Sequence, residues 1–182
     1  MGGEDVLAAV AQAAQRDSRT VDSGGKLLAP SISGVKVKRL TPHVDHRGGL
    51  TALLDVRDPF WDEQVVYAYE FTILPGRIKG WAMHEKQADR YFASSGNVRV
   101  VLFDGRQDSP SAGSVVELHF SELSPGLVSI PPGVWHADHN WGTTKARLIN
   151  FPTRAYDPDD PDKFRIDPRS GVIPFDWELR DG

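Results

Sequence analysis

From Val35 onward the chain is a succession of short runs that favour β structure, cut at even spacing by glycine and proline. The runs read VKVKRL (35–40), GLTALLDV (49–56), QVVYAYEFTIL (64–74), RYFAS (90–94), NVRVVLFD (97–104), SVVELHF (114–120), LVSI (127–130) and KARLINF (145–151). Between them stand PGRIKG, SSGN, DGRQDSPSAG, SPG, IPPG and NWGTT. Short β-rich runs bounded by such turn residues pair as antiparallel strands, and many in series predict a β-sandwich or barrel. Parallel sheets need long crossovers, and the chain shows no βαβ alternation, phosphate-binding glycine loop or repeat.

Two segments depart from that pattern. DVLAAVAQAAQ (5–15) carries alanine and apolar residues at helical spacing and predicts a helix, and residues 16–34 turn polar and rich in Gly and Ser, which predicts an arm. The expected division is therefore 1–34 as helix and arm and 35–182 as one β domain, a length that supports a real core. The tail YDPDDPDKFRIDP (156–168) is too acidic and Pro-rich for a strand. It is expected to wrap the outside as an ordered loop, with VIPFDW (172–177) docking back.

Charge and composition remove several function classes. A formal net charge of −4 argues against a general binder of nucleic acid or membrane surface, since both need a basic face. No apolar run approaches a bilayer span. Glu4 and Asp5 stand where a signal peptide carries Lys or Arg, so the expectation is a cytoplasmic protein. The absence of cysteine excludes disulfides, thiol nucleophiles and thiolate ligands.

Two motif stretches carry the chemistry. In IPPGVWHADHN (130–140), Pro131 and Gly133 shape a turn and the following strand delivers His136; the pattern P-x-G-x-x-H-x-x-x-N is completed by Asn140. In PGRIKGWAMHEKQADRYFASSG (75–96), His84 and Asp89 precede Gly96, and Ala82 stands where a first histidine would. Both stretches resemble the two motifs of the cupin jelly roll, which implies an all-β jelly roll that brings the motif hairpins together inside a barrel. His84, Asp89 and His136 would then meet. Two imidazoles and a carboxylate with open positions suit a divalent metal such as Zn, Fe or Mn. The plain alternatives are core histidines at 84 and 136 and a salt bridge from Asp89 to Arg90. Three residues along a strand place His136 and His139 on opposite faces, with His139 expected at the rim. Tyr67, Tyr69 and Phe71 share one face, and with Trp81 and Trp135 they read either as pocket wall or as core.

A longer series of motifs points to one family. DHRG (45–48), KGWAMH (79–84), GNVRVVLFDGRQDSPSAG (96–113), IPPGVWH (130–136) and PTRAY (152–156) occur in this order. Together they resemble the dTDP-4-dehydrorhamnose 3,5-epimerases and their relatives, from about Val35 to the end. The run of Asp104, Arg106, Ser109, Pro110 and Gly113 is its most family-specific part. The resemblance implies that His84 matches the general base, that Arg47 contacts ligand phosphates, and that His136 and Tyr156 line the pocket. Tyr69, Lys79 and Trp135 complete the expected substrate-binding set.

The departures are as informative. Asn150 stands where the family has its tyrosine acid, Lys79 where it has arginine, Asp89 where it has a phosphate-binding lysine and Ala52 where it has a glutamate. The Asp partner of the base, expected from a C-terminal segment, has no counterpart in the sequence. An asparagine amide cannot return a proton, although it can hydrogen-bond an oxyanion. The expectation is therefore an epimerase-like isomerase, acting at two carbons or one, with His84 and Asn150 as its catalytic pair. Its substrate would be a nucleotide-linked 4-keto-6-deoxy sugar of glycan or secondary-metabolite biosynthesis. The chain would work without a cofactor, and as a homodimer. The rivals are a metal-dependent cupin enzyme using His84, Asp89 and His136, and a cupin that binds a metabolite without turning it over.

Overall fold

The computed structural model describes residues 3–14, 16, 19, 21–24 and 31–179. One α-helix, α1 (Gly3–Ala13), precedes the strands β1 (Lys36–Arg39), β2 (His43–Asp45), β3 (Gly48–Leu50), β4 (Tyr69–Ile73), β5 (Ile78–Met83) and β6 (Asp89–Ser95). After them come β7 (Val98–Asp104), β8 (Val115–Phe120), β9 (Gly126–Ile130), β10 (Val134–Asn140), β11 (Ala146–Asn150) and β12 (Phe164–Arg165). Two antiparallel sheets form, in the orders β1-β9-β6-β11-β4 and β12-β5-β10-β7-β8, with β2 and β3 as a separate hairpin. This is the expected all-β jelly roll. Residues 17, 18, 20 and 25–30 of the arm lie outside the described residues; Ile32, just ahead of β1, is already buried in the core.

The sheets face each other across an apolar interior. Val98, Val100, Leu102, Val116 and Leu118 of the second sheet meet Tyr91, Val128, Ile130 and Leu148 of the first. Each fully buried aliphatic side chain among them contributes roughly 1.5–3 kcal/mol. The outer faces are covered as well. Phe60 and Trp61 lie over Phe92 and Leu127 on the first sheet. On the second, Trp81, Val101 and Ala137 lie under Ile173 and Trp177, so the tail docks back through VIPFDW.

Three sequence expectations change. The tail does contain a strand: Phe164 and Arg165 pair with Met83 and Ala82 at the free edge of β5, where two extended residues suffice despite the acidic neighbours. PGRIKG is not merely a separator, because β5 starts at Ile78 and runs through the KGW segment. Gly80 fits there for a steric reason. Its φ is +136°, and a Cβ would lie 2.6 Å from Ala137 Cα on β10. Of GLTALLDV, only Gly49 and Leu50 are strand, within β3.

The family-specific run at 104–113 locks a turn. The buried Asp104 carboxylate accepts hydrogen bonds from Arg106 Nε (2.8 Å), Ser109 Oγ (2.5 Å) and Ser111 Oγ (2.6 Å), and Gly113 N donates to its carbonyl (2.8 Å). Arg106 Nη2 also reaches the Ser33 carbonyl at 2.7 Å, which ties the entering chain to the β7–β8 turn.

Candidate active site

The interior becomes polar where β4, β5, β6, β10 and β11 converge. His84, Asp89, His136, Asp138 and Asn150 are all buried there. Asp89, 1% exposed, stands between the two imidazoles. Its Oδ2 lies 3.3 Å from His84 Nε2 and 3.6 Å from His136 Nε2, and the two rings stack at 5.6 Å between centroids. Gln87 Nε2 donates to Asp89 Oδ1 and Tyr91 Oη to Oδ2, both at 2.9 Å. Asp89 does not pair with Arg90, whose guanidinium turns to the other face and donates to the carbonyls of Phe151 and Glu63.

Carbonyls fix both imidazoles. His84 Nδ1 bonds the Asp162 carbonyl, and His136 Nδ1 bonds that of Val134 at 3.3 Å. A carbonyl only accepts, so each ring donates from Nδ1 and turns Nε2 toward Asp89. His84 Nε2 has no aligned hydrogen-bond partner. The convergence of two nitrogen lone pairs on a carboxylate calls for a positive charge, which a proton on His84 or a cation can supply.

The titration behaviour follows this layout. Burial opposes charge on His84, but Asp89 and the Asp162 carbonyl outweigh it and raise its pKa above the ordinary 6.5. His136 is pulled down to about 4 by burial, only partly offset by Asp89, and is neutral at pH 7. Burial opposes the charge on Asp89 too, yet the neighbouring histidines hold it well below its ordinary range. Tyr69 is pushed up to about 12 by burial and by the charge of Asp89, so its phenol keeps its proton. Asp138 is pushed up to about 8, again by burial first and Asp89 second.

Two adjoining chambers open from this cluster. The outer one, of about 770 Å³, is lined by Tyr67, Tyr69, His84, Arg154, Tyr156 and Lys163, among others. The inner one, of about 400 Å³, is lined by Tyr69, Lys79, Ala82, His136, Asp138 and Lys163, among others. Tyr69, Lys163 and Arg165 belong to both.

The structure thus brings His84, Tyr69, Lys79, His136 and Tyr156 to the chambers. Asn150 is fully buried behind them: it accepts from Arg90 N at 3.0 Å and donates through Nδ2 to Tyr69 Oη at 2.9 Å. Of the expected substrate-binding residues, two line neither chamber. Trp135 faces the opposite side of β10 and packs among the outer apolar residues, as strand alternation beside His136 requires. Arg47 lies in the β2–β3 turn, 78% exposed, with its guanidinium on Asp45. His139 is on the face opposite His136, as alternation demands. It is no rim residue, because Trp177 and Arg99 cover it. Asp138, Lys163, Arg165 and Asp162 were missed from sequence. For Asp138 the signal was parity with His136; for Lys163 and Arg165, KFR in the tail offered cations without any sign of where the tail runs, and nothing local marked Asp162.

No protein-family model matches the chain. The spore coat polysaccharide biosynthesis protein SpsL of Bacillus subtilis (strain 168) is 40% identical over 150 residues, spanning 80% of this chain and 96% of that protein. The probable low-salt glycan biosynthesis epimerase Agl13 of Haloferax volcanii is 34% identical over 152 residues, spanning 81% and 96%. Among solved structures, a dTDP sugar isomerase from Desulfovibrio desulfuricans G20 superposes with a TM-score of 0.76 at 26% identity, covering 82% of this chain and 94% of that one. The chain belongs to the dTDP-4-dehydrorhamnose 3,5-epimerase-like family. It is an epimerase-like isomerase.

Ala82 stands two residues before His84, where the cupin motif has its first histidine. Ala82 lines the inner chamber, so the methyl group leaves room there, while the imidazole stands two residues along and reaches the outer chamber. Among the described residues, no helix is long and apolar enough to cross a membrane.

Proposed function

We propose that this protein epimerises a nucleotide-linked 4-keto-6-deoxy sugar by proton transfer beside the ketone, in glycan or secondary-metabolite biosynthesis. The observation that carries the reading is His84: an imidazole held at Nδ1 by the Asp162 carbonyl, poised by Asp89, and open to a chamber of nucleotide-sugar size. In its neutral form His84 takes the proton from the carbon beside the ketone at Nε2, where Asp89 stabilises the imidazolium that forms, and the electron pair moves to the ketone oxygen. A proton returned to the opposite face of that carbon completes inversion. Asn150 cannot supply it, but Asn150 donates to the Tyr69 oxygen and so leaves the phenol hydrogen free to face the ligand. Tyr69 is the proton donor in this reading and Asn150 its positioning residue. A side chain in such a role typically contributes about 10²–10⁴-fold.

The cations at the mouth, Arg154, Lys163 and Arg165, suit a diphosphate, and Tyr67 and Tyr156 offer faces for the base. We further read the protein as a cytoplasmic homodimer. The exposed β2–β3 hairpin, with Val44 at 75% and Leu50 at 63% exposure, supports a second copy as its cover.

One observation favours a metal-dependent reading. The ligand atoms of His84, Asp89 and His136 lie within 4.8 Å of one another, close enough to share an ion. These three residues would hold a divalent cation, which would supply Lewis-acid polarisation of a carbonyl. The test combines both readings. The protein is incubated in D₂O with dTDP-4-keto-6-deoxyglucose, exchange at C3 and C5 is followed by NMR, and the metal content of untagged protein is measured. Exchange that is lost in His84→Ala and independent of metal supports the epimerase. Absence of exchange by the parent protein overturns it.

A further inference from the structure

Asp138 has no part in the chemistry described so far. It stands on β10 two residues beyond His136, so both side chains point inward, and it lines the inner chamber. The residue is 3% exposed, and its Oδ1 has no hydrogen-bond partner. A buried carboxyl oxygen without a partner costs free energy that nothing in the fold offsets. The β10–β5 register slips between His136 and Asp138, and such bulges re-aim side chains beside functional sites.

A chamber of about 400 Å³ is far larger than the roughly 30 Å³ of one water. The chemistry of its walls narrows the occupant. Lys79, Lys163 and Arg165 at the mouth disfavour a cationic group, and the buried Asp89 carboxylate, near enough to act on Asp138, disfavours an anionic one. Phe71, Ile78 and Ala82 supply apolar wall. A neutral ring carrying hydroxyls satisfies all of these at once.

We infer that Asp138 is a specificity-determining residue that hydrogen-bonds a ring hydroxyl of the bound sugar, so that the substrate must keep a hydroxyl where it meets β10. This rests on the nucleotide-sugar reading above. A site built around such a hydrogen bond rejects the analogue that lacks it, because its polar group is then left buried and unpaired.

The experiment measures binding of dTDP-6-deoxyglucose and its 2-deoxy and 3-deoxy analogues by calorimetry, to the parent, Asp138→Asn and Asp138→Leu proteins. One analogue should bind the parent about tenfold or more weakly than dTDP-6-deoxyglucose does. Asp138→Leu should bind all three alike, and Asp138→Asn, which keeps an acceptor oxygen, should retain most of the discrimination. Retained affinity for dTDP alone reports that the Leu variant is folded; if it is not, the analogue series on the parent decides. Equal binding of the three sugars by the parent, or undiminished discrimination in Asp138→Leu, overturns the assignment alone. Failure of the parent to bind any of the three overturns the nucleotide-sugar reading and this assignment together.

Discussion

His84 is aimed by Asp162. The Asp162 carbonyl holds His84 Nδ1, while its carboxylate accepts the backbone N–H groups of Glu85, Lys86 and Gln87 at 2.8, 2.8 and 3.0 Å. One tail residue therefore fixes both the ring and the loop that follows it. The tail contact thus supplies the orienting group for the ring that the proposed reading makes the base.

Asp162→Ala should leave the fold intact and slacken the loop. A misplaced catalytic ring loses rate rather than affinity, so kcat should fall about 10- to 100-fold with KM little changed. Asp162→Asn keeps one acceptor oxygen and should fall in between. Steady-state kinetics of proton exchange separates the two parameters; a change confined to KM would count against an orienting role.

Tyr69→Phe should separate two steps that the parent runs together. With His84 present, proton removal continues, but inversion needs a donor on the other face. Net epimerisation should drop about 10²- to 10⁴-fold while exchange at the same carbon persists. NMR of the product in D₂O reads both. Parallel loss of exchange and inversion would remove Tyr69 from the donor role. Asn150→Leu should show a weaker form of the Tyr69→Phe behaviour, because it only frees the phenol from its 2.9 Å contact.

How far the sequence foretold this site depends on local parity. β-strand alternation placed His136 inward and His139 outward, and both follow from backbone geometry alone. The same parity applied to Trp135 would have put it on the outer sheet face, where it is. β5 was hidden, because Gly80 with φ +136° and the preceding Pro-Gly turn look like loop chemistry. Lys163, Arg165 and Asp162 were illegible for another reason. They reach the chambers through pairing of two residues with a sheet edge some 80 positions earlier, and no local pattern encodes such a contact.

The cations that matter for the ligand should be those at the chambers. Lys163→Ala and Arg165→Ala should each weaken dTDP binding about tenfold, since a hydrogen bond to a charged group contributes roughly 1.5–3 kcal/mol. Arg47→Ala should have a smaller effect, because within one chain Arg47 lines neither chamber and is already paired with Asp45. Calorimetric titration of dTDP into the three variants ranks them. A larger loss in Arg47→Ala would mean that the β2–β3 hairpin serves the chamber of a second copy.

Asp104 should govern stability in acid. Arg106 first, and then Ser109 and Ser111, hold its carboxyl far below the ordinary 3.8, against the opposing effect of burial. A depressed carboxyl contributes stability that is complete above about pH 4 and is lost as the pH falls below that value. Asp104→Asn has one acceptor oxygen where the parent has two, and no charge to meet Arg106. It should cost about 2–4 kcal/mol at pH 7, lowering Tm by roughly 5–15 °C for a chain of this size. The gap between parent and variant should then narrow steadily below pH 4, because protonation removes from the parent the same charge that the substitution removes. Thermal unfolding from pH 3 to pH 7 measures both parts. A gap that is independent of pH would show that packing at the turn, and not the ionised carboxylate, sets the stability there.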